Sequence, residues 1–251
     1  MGLISSFVNI LFLINVVYSL QAKVKSGFFW FPLYLYSLLF VFQSDSAAAY
    51  IAIIFLHGLI FLALILLKFR ETLRSAHYLI FTLLVVFVSI VLYINADYFF
   101  RIFNRSPTLT GRIPMWTYLF ETYFSQRPFL GYGFNAFWYV ESHRVNIGQA
   151  TGYPGPIVIA DNGFIDILLN TGYVGLILFL VFYFGAWWRS IKYATKAKDI
   201  HGMFPVILMS YTLIANISWS LIFENEGSFI LVMISVLYCM SASPPINHEE
   251  R

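Results

Sequence analysis

Long apolar stretches dominate this sequence and restrict what the chain can fold into. They cover about residues 3–20, 28–42, 48–67, 78–95, 167–188, 204–222 and 228–241. A helix needs roughly 20 mainly apolar residues to cross a membrane, and these stretches lack the alternation of a transmembrane β-strand. Charged residues make up 11% of the chain, whereas soluble domains carry about 25%. The sequence therefore predicts an all-α integral membrane protein with about seven transmembrane helices.

The positions of the lysines predict how these helices cross the membrane. Every lysine follows the first, third or fifth apolar stretch: Lys23, Lys25, Lys68, Lys192, Lys196 and Lys198. Because basic residues collect on the cytoplasmic side, these connections are expected to be cytoplasmic and the long loop periplasmic. The predicted organisation is four N-terminal transmembrane helices in 1–95, a periplasmic loop in 96–166, three C-terminal helices in 167–241 and a cytoplasmic tail in 242–251.

The predicted periplasmic loop contains arginines but no lysine: Arg101, Arg105, Arg112, Arg127 and Arg144. A guanidinium group is planar and binds phosphate or carboxylate oxygens with two parallel hydrogen bonds. One interpretation pairs these arginines with loop carboxylates or lipid headgroups. The other has two or three of them bind a pyrophosphate or another anion. We expect most of these arginines to pair with carboxylates or headgroups, and at least one to bind a pyrophosphate or another anion.

Three segments of the loop have recognisable patterns. Residues 112–125 predict an amphipathic helix with Pro114 in its first turn and an apolar stripe formed by Met115, Trp116, Leu119, Phe120 and Tyr123. The glycines in 127–134 permit a close backbone approach or a plain turn. Residues 148–156 are expected to be flexible or extended, as a lid or a linker.

Polar residues stand where the fifth apolar stretch begins. Asp161 or Asn162 can cap the N-terminus of a helix there, and such an end favours a bound anion. Asp166 follows one turn later and, as an acid at that depth, should face protein or water. The histidines form no convincing metal cluster, and His143 is the one that lies in the loop. We therefore predict no metal and no cofactor, with His143 as a reserve base.

These motifs, taken in order, resemble the O-antigen ligase/polymerase family. The stronger ones are Thr110-Gly111-Arg112 with Trp116, Arg127–Gly133 with Phe137-Trp138, and Asp161–Leu176. Gln43–Ala48 and the segment from Asn216 to Glu226 are weaker matches. The Phe-Trp pair is similar to exopolysaccharide polymerases of the succinoglycan type. Family members usually carry more spans upstream, so the resemblance implies that this chain corresponds to their C-terminal part.

The resemblance implies a metal-independent glycosyltransferase of the bacterial inner membrane. Such an enzyme takes a glycan from an undecaprenyl-pyrophosphate carrier at the periplasmic face and joins it to an acceptor hydroxyl. A polymerase uses another lipid-linked repeat unit as acceptor, whereas an O-antigen ligase uses lipid A-core. The implied partners are the lipid-linked oligosaccharide, the polysaccharide acceptor and a chain-length regulator, with no nucleic acid.

The resemblance also implies roles for individual residues. Asp161 and Asp166 are the candidate catalytic residues, and the candidate substrate-binding residues are Arg112, Arg127, Arg105, Trp116 and Glu224. Many ligases have a histidine where Asp161 stands here, which favours a polymerase. The alternatives are an O-antigen ligase, an inactive truncated membrane subunit, or a transporter of an anionic substrate. A transporter should carry ionisable residues at mid-membrane, and these apolar stretches are nearly free of charge.

Overall fold

A computed structural model of the chain describes residues 2–44, 46–69, 112–134, 136–218 and 220. Within these residues the secondary structure is helical, without β-strands. The α-helices are α1 (Gly2–Gln21), α2 (Gly27–Gln43), α3 (Ala47–Lys68), α4 (Arg112–Tyr118), α5 (Glu141–Thr151), α6 (Gly163–Ala194) and α7 (Phe204–Ser218). A π-helical turn, Leu119–Tyr123, extends α4, and short 3-10 helices occupy Phe124–Gln126, Phe137–Tyr139 and Ile200–Met203.

Five of the predicted apolar stretches coincide with α1, α2, α3, α6 and α7. Among the described residues, two helical segments are long and apolar enough to cross a membrane, Gly163–Ala194 and Ile200–Ile217. The first three helices contain shorter apolar stretches, Ser5–Gln21, Gly27–Gln43 and Ala52–Lys68. The predicted spans at 78–95 and 228–241 lie outside the described residues. The helical class is confirmed, whereas the seven-span topology remains a prediction.

The chain divides into two compact units. The first combines residues 1–87 with 185–212 and 234–251. In its described part, α1 packs against α2 and α3. The side-chain amide of Asn9 on α1 donates to the Tyr34 carbonyl oxygen at 3.1 Å and to the Ser37 hydroxyl at 2.9 Å. Such polar contacts fix helix register where apolar surfaces alone do not.

The second unit combines residues 88–184 with 213–233 and contains every described residue of the predicted periplasmic loop. Its core is mostly aromatic and aliphatic, and the fully buried members include Leu119, Phe137 and Ile147. Helix α5 contributes to this core, although residues 148–156 were expected to be flexible or extended. That expectation is wrong for 148–151, which continue α5. Gly148 lies close to the following chain, because a Cβ there would be 2.1 Å from the Gly155 carbonyl oxygen.

A break at Gly172 divides α6 into residues 163–171 and 173–194. Gly172 has φ 65° and ψ −165°, a conformation that is essentially restricted to glycine. We call residues 128–134 the bridging segment, because it supplies hydrogen bonds on both sides of the break. Four backbone bonds form this connection: Tyr132 N–H to Leu169 O (2.9 Å), Gly133 N–H to Asn170 O (2.9 Å), Tyr173 N–H to Pro128 O (2.8 Å) and Val174 N–H to Phe129 O (3.2 Å).

Two glycines make this close contact possible. A Cβ atom on Gly172 would lie 2.2 Å from the carbonyl carbon of Phe129, and one on Gly131 would lie 2.5 Å from the carbonyl carbon of Asn170. Both distances are too short for any side chain. Of the two readings of the glycines in 127–134, close backbone approach is therefore the one found in the structure.

Candidate functional site

Arg112 and Asp161 form an ion pair in the second unit. The Arg112 Nε lies 3.2 Å from the Asp161 Oδ2, and both side chains remain partly exposed. Arg112 is the first residue of α4, and Trp116 follows it one turn later. The Trp116 indole N–H donates to the Ala160 carbonyl oxygen at 2.7 Å and is buried. Trp116 thus fixes α4 against the segment that precedes α6 and holds Arg112 beside Asp161.

The N-terminal cap of α6 is Asn162 and not Asp161. The Asn162 Oδ1 accepts from the backbone N–H groups of Phe164 at 3.0 Å and Ile165 at 3.2 Å. Its amide also donates to the Ile217 carbonyl oxygen at 3.2 Å. Asp161 instead adopts a left-handed conformation with φ 53°, which is uncommon for a residue other than glycine. Its carboxylate is therefore directed away from capping and toward Arg112.

Asp166 is completely buried and has two side-chain partners. Its Oδ1 accepts from the Trp138 indole N–H at 2.6 Å, and its Oδ2 accepts from the Ser220 hydroxyl. Asp166 was expected to face either protein or water, and in the structure it faces protein. Neither of these two partners is an arginine. A buried acid with both oxygens paired contributes to the packing of the unit.

Trp138 and Ser220 are hydrogen-bond partners of Asp166, and neither was among the site residues predicted from the sequence. Trp138 belongs to the Phe-Trp pair that carried part of the resemblance, so a signal for it was present. Ser220 had no signal, because it follows Asp166 by 54 residues and stands in an apolar stretch.

The other predicted site residues lie apart from the ion pair or outside the described residues. Arg127 is exposed, and its guanidinium carbon lies 5.0 Å from the centre of the Tyr132 ring. Arg105 and Glu224 fall outside the part of the chain that the structure describes. Phe120, predicted in the apolar stripe of the amphipathic helix, is exposed, whereas the other four members of that stripe are buried.

His143, the reserve base, is surrounded by aromatic rings. Its ring centre lies 4.7 Å from that of Tyr123, 4.8 Å from that of Phe137 and 5.5 Å from that of Tyr132. Its Nδ1 is 3.2 Å from the Phe137 carbonyl oxygen.

Burial raises the pKa of Tyr123 and of Tyr132 above the ordinary value of 10.0. Both phenols therefore stay neutral at physiological pH and act here as packing groups and hydrogen-bond donors.

Arg144 differs from the other described arginines of the loop. It is half-buried on α5. Its Nε is inaccessible to solvent and has no hydrogen-bond acceptor among the described residues.

The described part of the chain also contains no cluster of three or more His, Cys, Asp or Glu side chains able to hold a metal ion.

The site thus offers a fixed guanidinium and a carboxylate side by side, both open to solvent, at the start of a long apolar helix. A family model described as O-antigen ligase matches residues 32–180, which is more than half of the chain. Members of this family are membrane proteins that transfer glycans in ligase-type or polymerase-type reactions. No curated protein and no solved structure matches the chain. The chain belongs to the O-antigen ligase family.

Proposed function

We propose that this protein is a polymerase of a bacterial surface polysaccharide or exopolysaccharide. It transfers a glycan from an undecaprenyl-pyrophosphate carrier to a hydroxyl of a lipid-linked repeat unit at the periplasmic face of the inner membrane. The observation that carries the proposal is the partly exposed Arg112–Asp161 pair, with 3.2 Å between Nε and Oδ2. It provides a group for the leaving diphosphate and a group for the acceptor proton at one place.

Arg112 has the chemistry to stabilise the departing carrier. During transfer the bond between the sugar carbon and the diphosphate oxygen breaks, and negative charge grows on the diphosphate. A guanidinium held in place before the reaction stabilises that charge without reorganising. The hydrogen bond from Trp116 to the backbone at Ala160 provides this fixation. We assign charge stabilisation to arginines, with Arg127 and Arg105 as additional contacts to the donor, so the proposed reaction uses no metal.

Asp161 has the position to accept the proton of the acceptor hydroxyl. As the acceptor oxygen forms the new bond to the sugar carbon, its proton moves to a carboxylate oxygen of Asp161. The diphosphate competes with Asp161 for the Arg112 guanidinium, because both offer oxygen pairs of the same kind. Donor binding therefore releases Asp161 from the ion pair and makes it available as the base.

We assign Asp166 a positioning role. Its burial and its bonds to Trp138 and Ser220 keep both carboxylate oxygens away from an acceptor. It lies one turn beyond Asn162, and its N–H donates to the Asn162 carbonyl oxygen at 3.0 Å. The bonds of its carboxylate to Trp138 and Ser220 tie the first turn of α6 to the rest of the unit, and the geometry of Asp161 depends on that turn.

The test is polymer formation by the purified protein in vesicles supplied with an undecaprenyl-pyrophosphate-linked repeat unit. Arg112→Lys keeps the charge but loses the planar pair of donors, so we expect the ladder of products to disappear. Arg189→Lys, an exposed arginine at the other end of α6, is the matched control and should leave the ladder unchanged. Normal polymer from Arg112→Lys, at equal amounts of inserted protein, would refute the role of Arg112.

A further inference from the structure

The bridging segment, residues 128–134, presents apolar side chains to its surroundings although it lies in a loop. Phe129, Leu130 and Phe134 are exposed by 69%, 74% and 69%. The segment contains no charged residue. In a loop surrounded by water, three large apolar groups with such exposure in seven residues are unfavourable, and they indicate a contact with an apolar partner.

The structure places this surface beside the exposed side of α6. Phe129 accepts a backbone bond from Val174 at 3.2 Å, so the two surfaces meet at the break. From there an exposed apolar stripe runs along α6 through Tyr173, Val174, Ile177, Leu178, Val181 and Phe182. In a helix able to cross a membrane, an exposed and uncharged stripe of this kind faces the acyl chains of the lipids.

Part of the backbone of the bridging segment is bonded to protein, so that its side chains can reach the same environment without exposing those backbone groups. Non-helical backbone is stable at membrane depth only where its polar groups are paired with protein. Six such groups in the segment have backbone partners: Pro128 O, Phe129 O, Gly131 N–H, Tyr132 N–H, Gly133 N–H and Gly133 O. Arg127, which directly precedes the segment, is exposed and can keep its charge in the headgroup layer.

We infer that the bridging segment is a membrane anchor, with Phe129 and Leu130 inserted among the acyl chains of the bilayer beside residues 173–182 of α6. The partner is the lipid itself. This segment was expected to belong to the periplasmic loop, so the inference moves part of that loop into the outer leaflet. It does not depend on the proposed glycan transfer.

Site-directed spin labelling of the full chain in vesicles of phosphatidylcholine and phosphatidylglycerol tests the anchor. Cys239 is replaced by serine, and single cysteines at positions 129, 130 and 134 carry a nitroxide. Leu178→Cys on the exposed stripe of α6 is the lipid-facing reference, and Gln149→Cys, exposed on α5, is the water-facing reference. Collisions with oxygen, which dissolves in lipid, are compared with collisions with a water-soluble nickel chelate.

We expect positions 129 and 130 to show the high oxygen and low nickel accessibility of position 178. Nickel accessibility equal to that of position 149 would place the segment in water and overturn the inference. Shielding from both reagents would show that protein covers the segment, and this also overturns it. Position 134 provides a third label, so that the test survives if one substitution prevents folding.

Discussion

Replacing Gly172 with alanine tests whether the break in α6 is required by the fold. The new Cβ would lie 2.2 Å from both the carbonyl carbon and the carbonyl oxygen of Phe129. Those atoms are backbone, so they cannot rotate away as a flexible side chain could. In addition, alanine strongly disfavours φ 65° with ψ −165°. The variant must therefore either strain its backbone or release the bridging segment.

The expected loss of stability follows from these two effects. A residue held in a disfavoured backbone region costs about 1–3 kcal/mol. Releasing the bridging segment weakens four backbone hydrogen bonds, each with a net contribution of about 0.5–1.5 kcal/mol. Because the variant takes one route or the other, the lower ends of the two ranges give a loss of at least about 1–2 kcal/mol. We expect a similar effect for Gly131→Ala, because its Cβ would lie 2.5 Å from the Asn170 carbonyl carbon.

Gly185→Ala is the matched control in the same helix. A Cβ on Gly185 would have no atom within 4 Å, and alanine is favoured over glycine in a helix by up to about 1 kcal/mol. Unfolding of the purified proteins in mixed micelles with increasing SDS, followed by circular dichroism, measures the three variants. If Gly172→Ala stays within about 0.5 kcal/mol of the wild type, the range of ordinary surface substitutions, the break is not held as described.

Three further predictions concern the second unit, with stability measured by the same unfolding assay and polymer formation by the vesicle assay. Asp161→Asn should abolish polymer formation and change the free energy of unfolding by no more than about 0.5 kcal/mol. Asn162→Ala should lower the free energy of unfolding by about 1 kcal/mol, because the helix cap is lost. If Asp161→Asn were the more destabilising of the two, Asp161 and not Asn162 would be the cap. Trp138→Phe should cost about 1–3 kcal/mol, because it leaves a buried oxygen of Asp166 without its donor; unchanged stability would contradict this bond. Arg144→Met should not destabilise the protein, because no acceptor is lost and the apolar chain suits a half-buried position; a large loss would reveal an unrecognised partner.

Length and hydropathy were enough to locate the long helices. The predicted stretch at 28–42 corresponds to α2, Gly27–Gln43, and the stretch at 48–67 corresponds to α3, Ala47–Lys68. An uninterrupted apolar sequence of this length favours a helix without the need for a particular tertiary contact. Helix α5 could not be predicted in this way. Its sequence contains few apolar residues, and it forms because Ile147 is completely buried in the core of the second unit.

The break at Gly172 shows a different limit of sequence reasoning. Helix α6 also contains Gly163, Gly175 and Gly185, and none of these has a positive φ. The apolar stretch at 167–188 was predicted as one unbroken span, although Asn170 and Thr171 directly precede Gly172 and apolar or aromatic residues surround Gly175 and Gly185. The bridging segment determines the position of the break, because it bonds to the backbone on both sides of Gly172. It lies about 40 residues earlier in the chain. Such a contact is tertiary and leaves no local signal.

The two acids at the start of α6 differ in burial and accessibility in the structure. Residues 163–171 form a short helical piece that is fixed at one end by the Asn162 cap and at the other by the bridging segment. Asp166 lies within this piece and is buried, whereas Asp161 lies just outside it and is partly exposed. Because the piece is held by hydrogen bonds at both ends, Asp161 keeps its place beside Arg112 without being buried itself. A carboxylate that is both positioned and accessible is what proton transfer from an acceptor hydroxyl requires, and among the described acids near Arg112 only Asp161 combines these properties.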